Sequence, residues 1–285
     1  MADTTQRDVR LDDGRTLRAY DAGPDADDAL TIVWHHGSPQ TGAPLDPLLA
    51  AAAERGIRLL SYARPSYGGS TGRPGRDVAS AAADVARVAD ALGIDRFGVV
   101  GHSGGGPPAL ACGALLPDRV VSVVCAAGLA PYGAEGLEWF AGMARSPEES
   151  MRAAVAGRDA KQRYETSRAD DDGSAFTSAD IDAFGGVWSW VLEVVRPAVL
   201  AGPAAAIDDD LSYVAPWGFD PAVVTAPVLV VHGDEDRMVP SSHGRWLVDH
   251  CPAAELRLYP RDGHVSVLKA MESALEWLRS RAGAG

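Results

Sequence analysis

No apolar run in this 285-residue chain reaches the length of a membrane-spanning helix, so an integral membrane protein is not expected. Cations are scarce: 26 Lys and Arg stand against 39 Asp and Glu, a formal charge of −13 at pH 7. Phosphate backbones and anionic bilayers are bound by clustered Lys and Arg, so neither nucleic acid nor a membrane is an expected partner. Cysteine is rare as well. Cys112, Cys125 and Cys251 are odd in number and lack framework spacing, which argues against a disulfide scaffold and for a reducing compartment. Residues Met1 to Asp8 lack the apolar core of a signal peptide, and a cytoplasmic location is expected. Neither His-x-His nor His-Glu-x-x-His occurs, and no G-x-G-x-x-G follows the early strands, so no catalytic metal and no dinucleotide cofactor are expected. The runs Asp170-Asp171-Asp172 and Asp208-Asp209-Asp210 could in principle hold a hard cation, but acidic runs beside helices read as solvated charge.

What the chain does have is 46% hydrophobic residues, in a length suited to one large α/β domain or a core with an insertion. Residues 7–22 alternate around Asp12-Asp13-Gly14, the pattern of a hairpin with an Asp-Gly turn. Candidate strands follow at Leu30–His35, Ile57–Tyr62, Phe97–Gly101, Val120–Cys125, Val228–His232 and Glu255–Tyr259. Most are continuously apolar, as strands covered on both faces are. Between them, Val78, Ala81, Val85, Val88 and Leu92 form a helical stripe capped by Asp77, and Leu268, Met271, Leu275 and Leu278 form another. The alternation predicts a mostly parallel sheet flanked by helices.

Residues 131–216 break that alternation. Ser146-Pro147-Glu148-Glu149 and Thr177-Ser178-Ala179-Asp180 read as helix starts, the second opening a helix that ends near Pro197. On it Trp188, Val191, Leu192 and Val195 form one apolar stripe while Val187, Trp190 and Val194 occupy other faces, as in a helix buried between layers or lining an apolar cavity. The expected division is an α/β core of residues 1–130 and 217–285 with an all-helical cap, 131–216, inserted into it.

The chemistry concentrates at Val99-Val100-Gly101-His102-Ser103-Gly104-Gly105-Gly106, where a buried strand runs into a glycine-flanked serine. Gly101-x-Ser103-x-Gly105 is the pattern of a nucleophile elbow. A serine hydroxyl needs a base within hydrogen-bond reach. His264, after the last strand and a glycine turn, is the candidate base. Asp236 is the candidate orienting acid on its Gly-x-x-Asp spacing after Val228–His232, with Asp234 as competitor. A tetrahedral intermediate also needs two N–H donors for its oxyanion. One should be the amide of Gly104. The other should come from Trp34-His35-His36-Gly37-Ser38-Pro39, where Pro39 has no N–H and the choice narrows to Ser38 or Gly37. His36, His102 and His232 read as structural, His243 and His250 as surface residues. Trp139, Phe140, Trp188 and Trp190 read as cap core. A substrate pocket could draw on His102, Trp139, Trp188 or Trp190.

With the order Ser103…Asp236…His264, the His36-Gly37 loop and the Arg64-Pro65-Ser66-Tyr67-Gly68-Gly69-Ser70 turn, the chain resembles the α/β-hydrolase family over nearly all its length. The resemblance implies an eight-stranded sheet, a cap inserted after the sixth strand near Gly128, and hydrolysis through an acyl-enzyme. Epoxide hydrolases and haloalkane dehalogenases with this lid use an aspartate where this chain has Ser103. Prolyl aminopeptidases read His-Gly-Gly-Pro-Gly where this chain has His36-Gly37-Ser38-Pro39-Gln40. Ala63 replaces the family's frequent aspartate in the Asp-Arg-Pro turn.

The expected function is that of a serine hydrolase acting on an ester or thioester with an apolar portion, as a monomer or homodimer. Alternatives on the same triad are C–C bond, lactone or amide hydrolysis. From other classes, a ligand-binding receptor and a cofactor-free oxygenase remain open.

Overall fold

The computed structural model describes residues 4–24, 29–167 and 173–282. The run Asp170–Asp172 lies outside the described residues. Eight strands form one sheet: β1 (Thr4–Arg10), β2 (Thr16–Ala22), β3 (Thr31–His35), β4 (Arg58–Tyr62), β5 (Phe97–His102), β6 (Val120–Ala126), β7 (Val228–Gly233) and β8 (Ala254–Tyr259). Their order is β1-β2-β4-β3-β5-β6-β7-β8. The β1–β2 hairpin is antiparallel and joins β4 antiparallel, whereas β3 to β8 all run parallel. Each strand read from the sequence is present within a residue or two of its expected ends, except that β1 starts earlier, at Thr4.

Continuous apolarity has a direct cause. Successive side chains of a strand point to opposite faces, and here each face has its own core. Val33, Val99, Val123, Cys125, Val228 and Val230 pack with α2 (Ser80–Ala91), α3 (Gly106–Leu115) and α9 (Ser241–His250). Their neighbours Ile32, Trp34, Val100, Val124, Leu229 and Val231 pack with α1 (Asp46–Glu54) and α10 (Met271–Ala282). Helix α2 has Ala79 rather than Asp77 at its N-cap; Asp77 closes the turn before it, accepting a hydrogen bond from the Ser80 amide (2.9 Å).

Between β6 and β7 the described chain is helical: α4 (Arg145–Val155), α5 (Arg158–Ser167), α6 (Ser178–Gly185), α7 (Trp190–Leu200) and α8 (Ala204–Val214), with 3₁₀ turns at Val187–Ser189 and Pro221–Val223. Two local expectations need correction. Helix α4 starts at Arg145 rather than after Ser146, and Ser146 makes no cap. A tertiary bond fixes the earlier start: the Ala144 amide donates to the Arg237 carbonyl (2.7 Å), and Arg145 and Glu149 pair across the first turn. The Thr177 capping box is present, with Asp180 at its third position. Its helix does not run on to Pro197, however. It breaks at Gly185-Gly186 and resumes as α7, bent by 82°, which continues past Pro197 to Leu200. Nor is α7 buried on several sides. Val191, Val194 and Ala198 face inward, while Trp190, Leu192 and Val187 face solvent, Val187 at 68% exposure. Among the described residues, no single helix is long and apolar enough to cross a membrane.

The two-sided core makes a graded prediction. Leu229→Ala, fully buried on β7 in the core on the α10 side, should cost about 2–5 kcal/mol, and Leu258→Ala on the half-exposed edge strand β8 less than half of that; urea denaturation measures both.

Candidate active site

The end of β5 sets the site. Ser103 adopts a left-handed backbone (φ 56°), a conformation that costs an L-residue roughly 1–2 kcal/mol. The chain reverses there because its neighbours have no side chains. A Cβ on Gly101 would lie 2.0 Å from the Gly105 carbonyl oxygen, and one on Gly105 would lie 2.0 Å from the His35 carbonyl oxygen. Only glycine permits that approach. The turn feeds α3, where Pro107 and Pro108 sit in the first helical turn and need no N–H partner. Ser103 is left partly exposed at the carboxyl edge of the sheet.

His264 and Asp236 reach the same edge from the loops after β8 and β7. The Ser103 hydroxyl lies 2.8 Å from His264 Nε2, and His264 Nδ1 lies 2.8 Å from Asp236 Oδ2. Asp236 Oδ1 accepts the amides of Met238 and Val239, both at 2.9 Å, and His232 Nε2 lies 3.5 Å from Oδ2. With Nδ1–H given to a carboxylate, the lone pair of Nε2 faces the serine. Burial pulls the imidazole toward neutrality, but the Asp236 charge outweighs it and raises the His264 pKa above its usual 6.5. Burial likewise opposes ionisation of Asp236, yet His264 and His232 hold its carboxyl well below the usual range. Asp234 is not an equivalent partner. Its carboxylate turns away to accept the Arg261 amide (2.6 Å).

The loop after β3 lies on the other side of Ser103. The Gly37 amide donates to Gln40 Oε1 (3.2 Å) and so is already engaged within its own loop. A Cβ on Gly104 would meet Ser38 Oγ and Tyr213 OH at 2.5 Å, so loop, turn and α8 converge on that residue. Ser38 Oγ donates to Asp209 Oδ2, accepts from Arg64 Nη2 (2.8 Å) and lies 3.1 Å from Tyr213 OH, which donates to the Gly104 carbonyl (2.7 Å). Arg64 also donates to the His36 carbonyl, and its amide donates to His36 Nε2 (3.1 Å).

Here the sequence misleads. Asp208-Asp209-Asp210 is not a solvated run. Asp209, buried on α8, receives Arg64 Nη2 at 2.7 Å, Arg76 Nη2 at 2.5 Å and Tyr67 OH at 3.0 Å. Asp208 pairs with Arg158 and Arg76, and Asp210 with Lys161 (2.6 Å). Burial would raise the Asp209 carboxyl, but the two guanidinium groups overcome it and hold it far below the ordinary range. The Asp209 partners lie more than a hundred positions away along the chain, and only the Arg64-Pro65 turn hints at them. His243 is another correction: it is fully buried, accepting the Ala130 amide (3.1 Å) and bonding the Trp139 carbonyl (2.8 Å), and burial lowers its pKa to about 4.

His102 bonds the His264 carbonyl (2.9 Å), and burial lowers its pKa to about 3, as befits a neutral support residue. Trp139 packs edge-on against Tyr132, Phe140 and His243, with its indole N–H on the Ala130 carbonyl (2.9 Å). Trp188 belongs to the apolar core on the α10 side, and Trp190 is 42% exposed. Among the described residues, no group of three or more His, Cys, Asp or Glu is arranged to hold a metal.

Comparison with known proteins agrees with the topology. Residues 31–270 match the alpha/beta hydrolase fold family. A 2-hydroxy-6-oxononadienedioate/2-hydroxy-6-oxononatrienedioate hydrolase of Cupriavidus pinatubonensis is 29% identical over 287 residues, covering 91% of this chain and 89% of that protein. A non-heme chloroperoxidase of Streptomyces lividans is 28% identical over 242 residues, covering 81% and 83%. An esterase structure from Thermogutta terrifontis superimposes with a TM-score of 0.71 at 18% identity, covering 98% of this chain and 99% of that one, and this likeness bears on the fold alone.

Removing Asp209 leaves the buried Arg64 guanidinium without its anion and Arg76 with Asp208 alone. Asp209→Asn should therefore lower stability at pH 7 by about 3–5 kcal/mol. Because the folded carboxyl pKa is depressed, its contribution is present above about pH 4 and lost as pH falls toward the folded value. Acid titration of stability should be flatter in the variant, and an equally steep titration would contradict the assignment.

Proposed function

The chain belongs to the α/β-hydrolase family, and on that premise we propose that it is a serine hydrolase cleaving carboxylic esters or thioesters with an apolar portion. The carrying observation is the unbroken chain Ser103 Oγ–His264–Asp236, with both links at 2.8 Å. The Ser103 oxygen attacks the substrate carbonyl as His264 Nε2 takes its proton, and Asp236 stabilises the imidazolium that forms. The amides of Gly104 and Ser38 receive the oxyanion. His264 then returns the proton to the departing alcohol or thiol. It next draws a proton from water as that water attacks the acyl carbon, then hands the proton to Ser103 Oγ as the C–Oγ bond breaks and the acid leaves. In this reading residues 131–216 act as the cap that shapes the substrate site, and no cofactor takes part.

Charge favours a neutral substrate over a dianionic one such as the name of the Cupriavidus relative describes. Arg64 and Arg76, the buried cations beside the Ser38 loop, are already paired with Asp209, and the whole chain carries −13.

Stopped-flow hydrolysis of p-nitrophenyl esters should show a burst of nitrophenol equal to the enzyme present, with the acyl mass on the peptide containing Ser103. Ser103→Ala should lose about 10⁴–10⁶-fold in kcat while keeping its circular dichroism spectrum. A variant retaining the burst would refute the nucleophile. Because His264 must be neutral to accept the proton and its pKa is raised, kcat/KM should climb with pH through an inflection above 6.5. An acid limb centred below that value would count against His264 as base.

A further inference from the structure

We propose that Asp180, on α6, is a positioning residue for the His264 base, fixing its backbone and adding a second negative charge beside its imidazole. The inference rests on the reading of His264 as general base. Asp180 is fully buried, and it does more than close its own helix. Helix capping uses the Thr177 amide, which donates to Oδ2 at 2.9 Å, and the Thr177 hydroxyl at 3.1 Å. The same carboxylate reaches across to a segment 84–86 positions away. Oδ2 accepts the His264 amide (3.3 Å), and Oδ1 accepts the amides of Val265 and Ser266, both at 2.8 Å, and the Ser266 hydroxyl at 3.0 Å. Gly263 is part of the arrangement, since a Cβ there would sit 2.0 Å from Asp180 Oδ2.

His264 is thereby held at every polar atom. Its amide goes to Asp180, its carbonyl to His102 Nε2 (2.9 Å), Nδ1 to Asp236 and Nε2 to Ser103. A base held at its backbone as well as its ring keeps the proton-transfer distance when substrate enters, and such preorganisation is worth more than a contact made late. The charges around it are few. Asp236 faces the ring from the loop after β7, with His232 behind it at 3.5 Å. His102 of β5 lies 5.1 Å away between ring centroids and is neutral by burial. Asp262, on the same loop, is paired with Lys269 at 2.8 Å. Asp180 comes from α6, at the His264 backbone amide. Burial opposes its ionisation, but the Ser266, Thr177 and Val265 amides overcome that and keep it charged. Asp180 therefore joins Asp236 in favouring the imidazolium.

The test compares wild type with Asp180→Asn and with Asp182→Asn, an exposed charge on the same helix. Two readouts are taken: the acid limb of kcat/KM on a p-nitrophenyl ester, and the His264 imidazole titration by NMR, which needs no turnover. Asp180→Asn should move both down by about 0.5 pH unit or more and lower kcat about tenfold with KM nearly constant. Asp182→Asn should leave both in place. An imidazole titration unmoved in Asp180→Asn overturns the proposal even if kcat falls, because loosened packing alone could lower kcat. Should Asp180→Asn fail to fold, Ser266→Ala decides: severalfold lower kcat with faster exchange of the His264 and Val265 amides supports the clamp, and no change in either refutes it. Absence of ester turnover in the wild type would strike the proposed function, while the NMR titration would still judge Asp180.

Discussion

One steric constraint underlies the arrangement: backbone must touch backbone where β5 turns into α3. Gly101 against Gly105, and Gly105 against the end of β3, are approaches that any Cβ would forbid. They force Ser103 into a left-handed conformation and lift its hydroxyl to the rim. Because β3 and β5 to β8 run parallel, their carboxyl ends share that rim, and loops leaving it can converge on one atom. Asp236 and His264 arrive on two of those loops and the Ser38 segment on a third. A sheet with one of these strands reversed would send its residue to the far edge, some strand length away.

Around that rim the energetics are dominated by buried charge. Asp236, Asp209 and Asp180 are all carboxylates taken out of water, each tolerated because donors crowd it. Asp236 faces an imidazole and two amides, Asp209 two guanidinium groups, and Asp180 a set of amides and hydroxyls. Two of the three come from the helices between β6 and β7. Helix α8 brings Asp209 to the Ser38 loop, and α6 brings Asp180 to the His264 loop. Those helices therefore bear on both flanks of Ser103. Displacing either would strand an ion in low dielectric, so the helical layer and the rim are energetically one unit.

Much of this was legible in the sequence, and the boundary between legible and hidden is physical. Strands covered on both faces leave continuous apolar runs, so β3 to β7 were readable from composition alone. The Ser103 turn was readable because close approach demands glycine at fixed offsets. The order of serine, acid and histidine carried the rest of the constellation, and only geometry could separate Asp236 from Asp234, two residues apart on one loop. What stayed hidden depended on contacts across the chain. Asp209 looks like one of three solvated acids until Arg64 and Arg76 are folded against it. Asp180 reads as a helix cap, which it is, and nothing local announces its second set of partners. His243 and the outer face of α7 went the other way from expectation, because burial of a helix face is decided by what packs on it.

The central claim is that folding delivers an activated serine oxygen between an imidazole and two amides. A crystal structure of the enzyme after reaction with an alkyl fluorophosphonate reads this directly. The account predicts phosphorus bonded to Ser103 Oγ, the phosphonyl oxygen within hydrogen-bond distance of the Gly104 and Ser38 amides, and His264 Nε2 beside the position of the departed group. Phosphorus on another residue, or on Ser103 with its oxygen turned to solvent away from both amides, would contradict it.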